Sequence, residues 1–125
     1  MNARYDAGRT AFGLARINWA AQTIQAVLVS TRYKFSAAHR TLDDVAGRIT
    51  DPVDLGGLSV DTQGYARAES IVFKKVLADM PAAGCVVFKR SGALIAFYDT
   101  IEGFPIQPNG GDIDVGWDDR KLFRL

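Results

Sequence analysis

Residues 85–98 read CVVFKRSGALIAFY and decide the fold of this chain. Two apolar runs flank the short polar turn KRSG, and both runs contain the β-branched and aromatic residues that strands favour. A short turn that contains glycine joins neighbouring antiparallel strands. The sequence therefore predicts a β-hairpin at the centre of the molecule.

Further strands are predicted on both sides of this hairpin. The apolar run TIQAVLVS at 23–30 is typical of a strand that is buried on both faces. The run IVF at 71–73 predicts a strand over 68–76, and LSV at 58–60 predicts a short edge strand. Alternation at 112–117 predicts a half-buried strand, and the apolar residues at 122–125 predict a last strand that docks into the body.

Two segments have helical character. Residues 7–17 predict a short helix or an irregular lead-in, and residues 36–47 predict a helix because Ser36 and Thr41 are good capping residues. Proline and paired glycines predict a loop over 50–57. The predicted fold is mainly β, an antiparallel β-sandwich or small barrel with one short helical insert, in a single compact domain over 1–125.

Composition argues against several classes of protein. The net charge of +1 does not suit a nucleic-acid binder, and no apolar stretch is long enough to span a bilayer. The single cysteine, Cys85, cannot form an intrachain disulfide, and its apolar neighbours predict a buried side chain. We therefore expect a mature, soluble protein that is made in a reducing cytoplasm and binds neither nucleic acid nor membrane.

The charges are distributed unevenly along the chain. Residues 1–34 contain five basic side chains and one acidic one, whereas residues 99–119 contain six acidic side chains and no Lys or Arg. Folding could combine the two segments into one ordinary mixed surface. Alternatively, they could form faces of opposite sign that steer subunits together.

The only histidine, His39, could take part in catalysis if residues 36–47 were helical. Ser36, His39 and Asp43 would then lie on one helix face and resemble a Ser/His/Asp set. However, the sequence suggests neither a strained nucleophile turn nor an oxyanion hole. A capping serine and a surface histidine are the simpler interpretation, and we predict no catalytic residue.

Weak candidates for a metal site are Asn109, Asp112 and Asp114, beside the turn at 110–111. Their oxygens would suit calcium, but they lack the spacing of an EF-hand loop. Solvent-facing strand and turn residues are the simpler interpretation, so we predict no metal and no cofactor. The candidates for contacts with a partner are large apolar side chains near the two ends of the chain, namely Trp19, Trp117, Phe123 and Leu125.

The order of several features resembles that of known proteins. They are Gly13-x-x-x-Ile17-x-Trp19, the Val-Leu-Val strand at 27–29, Tyr33-Lys34-Phe35, Val87-Phe88-Lys89, the GALIA run at 92–96, Asn109-Gly110-Gly111-Asp112, and Trp117 with Leu122-Phe123. This order resembles that of small virion structural proteins of tailed bacteriophages. The resemblance spans most of the chain, departs around 48–66, and carries over no catalytic residue.

The resemblance implies a non-enzymatic virion protein that is made in the cytoplasm of a bacterial host. The leading hypothesis is a capsid decoration, or cement, subunit that binds the major capsid protein lattice or other virion proteins and forms a homo-oligomer. A head–tail connector or tail component is the nearest variant. Two other classes remain open, a small calcium-assisted carbohydrate- or ligand-binding β-sandwich and a hydrolase with an unrecognised acidic pair.

Overall fold

The computed structural model describes residues 2–125. In chain order the elements are β1 (Asn2–Arg4), α1 (Asp6–Gly13), β2 (Ile24–Val29), β3 (Val53–Asp54), β4 (Ser59–Val60), β5 (Tyr65–Arg67), β6 (Ile71–Phe73), β7 (Gly84–Lys89), β8 (Leu94–Tyr98), β9 (Ile113–Val115) and β10 (Lys121–Arg124). Single 3₁₀ turns cover Leu42–Asp44 and Asp118–Arg120. The strands form three antiparallel sheets, with the orders β1-β8-β7-β2-β3, β10-β5-β4 and β6-β9.

The predicted hairpin is confirmed and lies in the middle of the five-stranded sheet. Cys85 of β7 pairs with Tyr98 of β8, and the register shifts once, between Val87 and Phe88. On its other side β7 pairs with the whole of β2, which confirms the strand predicted at 23–30. The turn reverses at Ser91, whose φ of 56° is left-handed.

Both faces of this sheet are buried because successive side chains of a strand point to opposite sides. Val27 and Val86 belong to one core, while Leu28 and Val87 belong to the other. All four side chains are fully buried. The sheet therefore has two apolar faces, which accounts for the nearly continuous apolar sequence of its central strands.

The two small sheets share one of these cores with the large sheet. Phe73 of β6, Val115 of β9 and Leu122 of β10 are buried in the same cluster as Leu28 and Val87. The arrangement is a sandwich-like stack of open antiparallel sheets rather than a closed barrel. The prediction of a mainly β fold is thus confirmed, in its sandwich form.

The predicted helix at 36–47 is wrong. The backbone of this segment bonds to other elements, since the amide of Leu94 donates to the carbonyl of Arg40 at 2.8 Å and the amide of Asp6 donates to Ala37 at 3.0 Å. Asp44 accepts the amides of Arg40 and Thr41, which leaves only a 3₁₀ turn. The segment is an irregular cover over the core that contains Val27 and Val86. The one α-helix of residues 2–125 is α1, which overlaps the short helix or lead-in predicted at 7–17.

Two segments differ from the predictions. The loop predicted at 50–57 contains the short strand β3, which pairs with β2 at Gln25 and Ala26. The strand predicted over 68–76 is only β6, because the chain turns at Lys75 with a φ of 52°. The edge strand at 58–60, the half-buried strand within 112–117 and the docked last strand are observed as β4, β9 and β10.

Helix α1 lies directly on β8 at Gly8. A Cβ atom at this position would be 2.6 Å from the carbonyl oxygen of Leu94 and 2.9 Å from the Cα of Ile95. Both atoms belong to a buried strand backbone, which cannot yield as a flexible side chain would. The absence of a side chain at Gly8 therefore permits the close approach of the helix to the sheet.

We predict that Gly8→Ala lowers the free energy of unfolding by about 1–3 kcal/mol, despite the higher helix propensity of alanine. The matched control is Gly13→Ala in the same helix, where a Cβ meets nothing within 4 Å. We expect the control to be neutral or to stabilise by up to about 1 kcal/mol. Urea unfolding measures both, and equal effects at the two sites would contradict the close packing.

Candidate functional site

An open groove of about 840 Å³ lies where the end of α1 meets the end of β10. Three guanidinium groups, from Arg4, Arg9 and Arg124, line it together with apolar side chains. We call it the arginine groove. Its apolar lining comprises Phe12, Ile17, Trp19, Val60 and Leu125.

Arg4 is held firmly within this groove. Its guanidinium carbon lies 4.1 Å from the ring centroid of Phe123, and Nη1 donates to the carbonyl of Arg124 at 3.3 Å. Its Nε is buried without a hydrogen-bond partner among residues 2–125. Burial lowers the pKa of Arg4, and the nearby charge of Arg9 lowers it further. Because arginine stays protonated, the groove concentrates positive charge.

Packed aromatic rings support the groove from below. The ring of Phe123 makes edge contacts with Phe12 at 5.8 Å and with Trp19 at 5.3 Å between centroids. The indole of Trp19 also donates to the carbonyl of Arg67 at 3.0 Å. These contacts fix the shape of the groove, because each ring is restrained by a neighbour on another element.

A second site, of opposite charge, lies beyond the other end of β10. This cleft of about 450 Å³ is lined by the carboxylates of Glu102, Asp114 and Asp118 around Trp117. The indole of Trp117 donates to the carbonyl of Glu69 at 3.2 Å, and its ring packs on Tyr98 at 5.2 Å. We call it the acidic cleft.

Neither site is neutralised within the described part of the chain. The ion pairs of residues 2–125 join Arg67 to Asp61 and Lys121 to Asp119, each at 3.5 Å. Lys121 also lines the acidic cleft. Its ammonium group pairs with Asp119, which lies outside that lining. The basic and acidic segments of the sequence thus line separate sites instead of pairing with each other.

A third surface is apolar and lies beside β6. Leu77 is 75% exposed and Val72 is 39% exposed, and both line a shallow cleft with Lys74 and Lys75. Among the large apolar side chains of residues 2–125, Leu77 is the most exposed. We call this surface, defined by Val72 and Leu77, the apolar patch.

The residues predicted as a possible catalytic trio do not share a helix face, because no helix forms there. Ser36 accepts the amide of Ala38 at 3.3 Å, and the Nδ1 of His39 is hydrogen-bonded to the hydroxyl of Tyr33 at 2.8 Å. Asp43 lies in the 3₁₀ turn. The structure therefore offers no support for a Ser/His/Asp arrangement.

His39 instead ends a buried chain of hydrogen bonds. The hydroxyl groups of Tyr5 and Tyr33 share a hydrogen bond of 2.6 Å. Burial raises the pKa of both tyrosines, so both stay protonated at neutral pH. This series of hydrogen bonds satisfies polar atoms in the core beneath the irregular cover, and its role is structural.

The three predicted metal candidates have separate surroundings. The side chain of Asn109 accepts the amide of Gly111 at 2.9 Å, and Asp112 accepts the amide of Lys75 at 3.0 Å. Asp114 lines the acidic cleft instead. Within residues 2–125 no three His, Cys, Asp or Glu side chains form a group that could hold a metal ion. Cys85 is buried, as predicted, and burial raises the pKa of its thiol.

The predicted contact residues divide between the two charged sites. Leu125, 53% exposed, lines the arginine groove, and Phe123 supports Arg4 there. Trp117 lines the acidic cleft. Trp19 is only 2% exposed, because it is packed into the core and forms the floor of the arginine groove.

Comparison with known proteins does not assign this chain to a family. No family model, curated protein or solved structure matches it. Over residues 2–125, every helix is too short and too polar to cross a membrane.

Sequence reasoning did not find the arginine groove. Its three arginines come from β1, α1 and β10, and Arg4 and Arg124 are 120 positions apart. The excess of basic residues near the N-terminus was the available signal, but it does not reveal that β10 returns to β1. The Tyr5–Tyr33–His39 chain was missed for the same reason, since its three members become neighbours only when the cover folds over the sheet.

We predict that Tyr33→Phe lowers the free energy of unfolding by about 1–3 kcal/mol, because it leaves the fully buried Tyr5 hydroxyl without a partner. Tyr5→Phe is the matched control, since the Tyr33 hydroxyl keeps His39 as a partner. We expect a loss below about 1 kcal/mol for this control. Denaturant unfolding of both variants at neutral pH provides the measurement. Equal losses of unfolding free energy would count against the Tyr5–Tyr33–His39 series of hydrogen bonds.

Proposed function

We propose that this chain is a non-enzymatic structural protein of a tailed-bacteriophage virion, a capsid decoration subunit that binds the lattice of the major capsid protein. The observation that carries the proposal is the apolar patch, in which Leu77 exposes 75% of its surface. Val72 and Leu77 line the same cleft, and exposed apolar side chains that lie together mark surfaces that another protein covers. The sequence resemblance supplies the biological setting.

The structure of the segment around the patch fits a preformed contact. The amide of Val76 donates to the carbonyl of Gly111 at 2.9 Å, and the side chain of Gln107 donates to the carbonyl of Ala78 at 2.9 Å. Leu77 therefore stands on a segment that is fixed on both sides. A preformed contact loses little conformational entropy on binding, and repetition over a lattice multiplies a small interface.

A head–tail connector or tail component is a variant of the same proposal, and it uses the same kind of surface. The two differ in copy number. A decoration subunit covers the lattice, whereas a connector forms one ring of about a dozen copies under cyclic symmetry.

Quantitative peptide mass spectrometry of purified virions from the source of this chain tests the proposal. We expect a ratio to the major capsid protein near one to one. A ratio that corresponds to a single ring would reassign the chain to a connector or tail component. If the chain is absent from purified particles, the proposal that it is a virion structural protein is overturned.

We predict that Leu77→Ser reduces binding to capsids at least about tenfold, as expected for the loss of a central apolar contact. The free energy of unfolding should stay within about 0.5 kcal/mol of the wild-type value, because the side chain is exposed. Leu14→Ser is the matched control, since Leu14 is 57% exposed and lies outside the patch. Co-sedimentation with capsids and thermal unfolding measure the two effects, and unchanged co-sedimentation would remove the patch from the interface.

A further inference from the structure

We propose that the arginine groove binds the acidic cleft of a second copy of this chain. The two sites are complementary in sign, since three guanidinium groups line one, whereas three carboxylates and a single lysine, Lys121, line the other. The inference rests on the proposed assembly role for its setting, while its physical argument and its test concern the purified chain alone.

The first step is that the arginines of the groove form no ion pair with any side chain among residues 2–125. Arg4 and Arg9 lie close enough for each charge to act on the other, and no carboxylate among residues 2–125 pairs with either of them. Arg124 donates its Nε to the carbonyl of Gln63, which leaves its charge without a carboxylate partner as well. Three positive charges around an apolar floor favour a partner that brings carboxylates.

The second step is that the same molecule presents such carboxylates but cannot use them itself. Arg124 and Leu125 line the groove, whereas Lys121 and Leu122 line the cleft, so β10 separates the two sites. A strand rises about 3.3 Å per residue, which places the sites on the order of 10 Å apart along the backbone. The fold keeps this distance fixed, whereas a second copy can bring a cleft directly onto the groove.

The third step concerns apolar surface. Val60 and Leu125 in the groove are 43% and 53% exposed, and the half-buried Trp117 lies among the carboxylates of the cleft. Contact between the sites would remove these side chains from water within a ring of opposite charges. Tryptophan and arginine are the residue types that contribute most to protein interfaces.

The acidic cleft also argues against a nucleic acid as the occupant of the groove. Its three carboxylates lie on the same small domain as the arginines and would repel a phosphate backbone. The net charge of +1 provides no compensating attraction over a longer range. A protein surface with carboxylates is therefore the better match, and this chain supplies one.

Charge reversal on purified protein tests the proposal. One variant combines Arg9→Glu with Arg124→Glu, and the other combines Glu102→Lys with Asp118→Lys; all four side chains are exposed. In sedimentation velocity we expect the wild type to associate in about 0.05 M NaCl and to dissociate as salt approaches about 0.5 M. Each variant alone should associate at least about tenfold more weakly, because its two sites carry the same sign.

An equimolar mixture of the two variants should associate again, since the reversed groove of one copy then complements the reversed cleft of the other. Damage to folding cannot produce this recovery. The control combines Arg32→Glu with Arg90→Glu, two exposed arginines outside both sites, and should associate like the wild type. Thermal unfolding checks that all variants are folded.

Three results would overturn the proposal: a wild type that stays monomeric at low salt up to about 100 μM, a mixture that fails to associate, or a control that fails like the groove variant. A monomeric wild type that is nevertheless abundant in virions would refute self-association and leave the decoration role intact. If the chain is absent from virions but the mixture of variants associates, the decoration role is refuted and self-association stands. The two proposals can therefore fail separately.

Discussion

The burial of both faces of the β2–β7–β8 core is the constraint on which the rest of this structure depends. Because Val27 and Leu28 point to opposite sides and both are fully buried, the chain must cover the sheet twice. The small sheets cover one face with ladder-bonded strands. The segment after β2 covers the other face and is irregular. These two covers determine where the functional surfaces lie.

The irregular cover shows why a segment that is typical of a helix can remain non-helical. The carbonyl groups of Ala37 and Arg40 accept amides from α1 and β8, so they are not available for helical bonds. The buried hydroxyl of Tyr33 requires a partner, and Tyr5 and His39 both provide one. Tertiary hydrogen bonds thus outweigh the local propensity of Ser36 and Thr41 to begin a helix.

What could be predicted from the sequence follows the same physics. The hairpin at 85–98 and the strand at 23–30 are encoded by local apolar runs, and the pairing of β7 with β8 needs only a short turn and a matching length. The helix predicted at 36–47 failed because the outcome depends on partners distant in sequence. The arginine groove could not be predicted, because a cluster of Arg4, Arg9 and Arg124 exists only after β10 has docked beside β1.

The docking of β10 also explains why opposite charges remain apart in this molecule. The hydroxyl of Tyr98 donates to the carbonyl of Leu122 at 2.8 Å, and Arg4 packs on Phe123 at 4.1 Å, so neighbouring residues of one strand are tied to β8 and β1. These contacts hold the start of β10 beside the carboxylates and its end beside the arginines. A chain that is free to move would bring the two sets of charges together. The rigid sandwich prevents this, and the unpaired charge becomes a property of its surface.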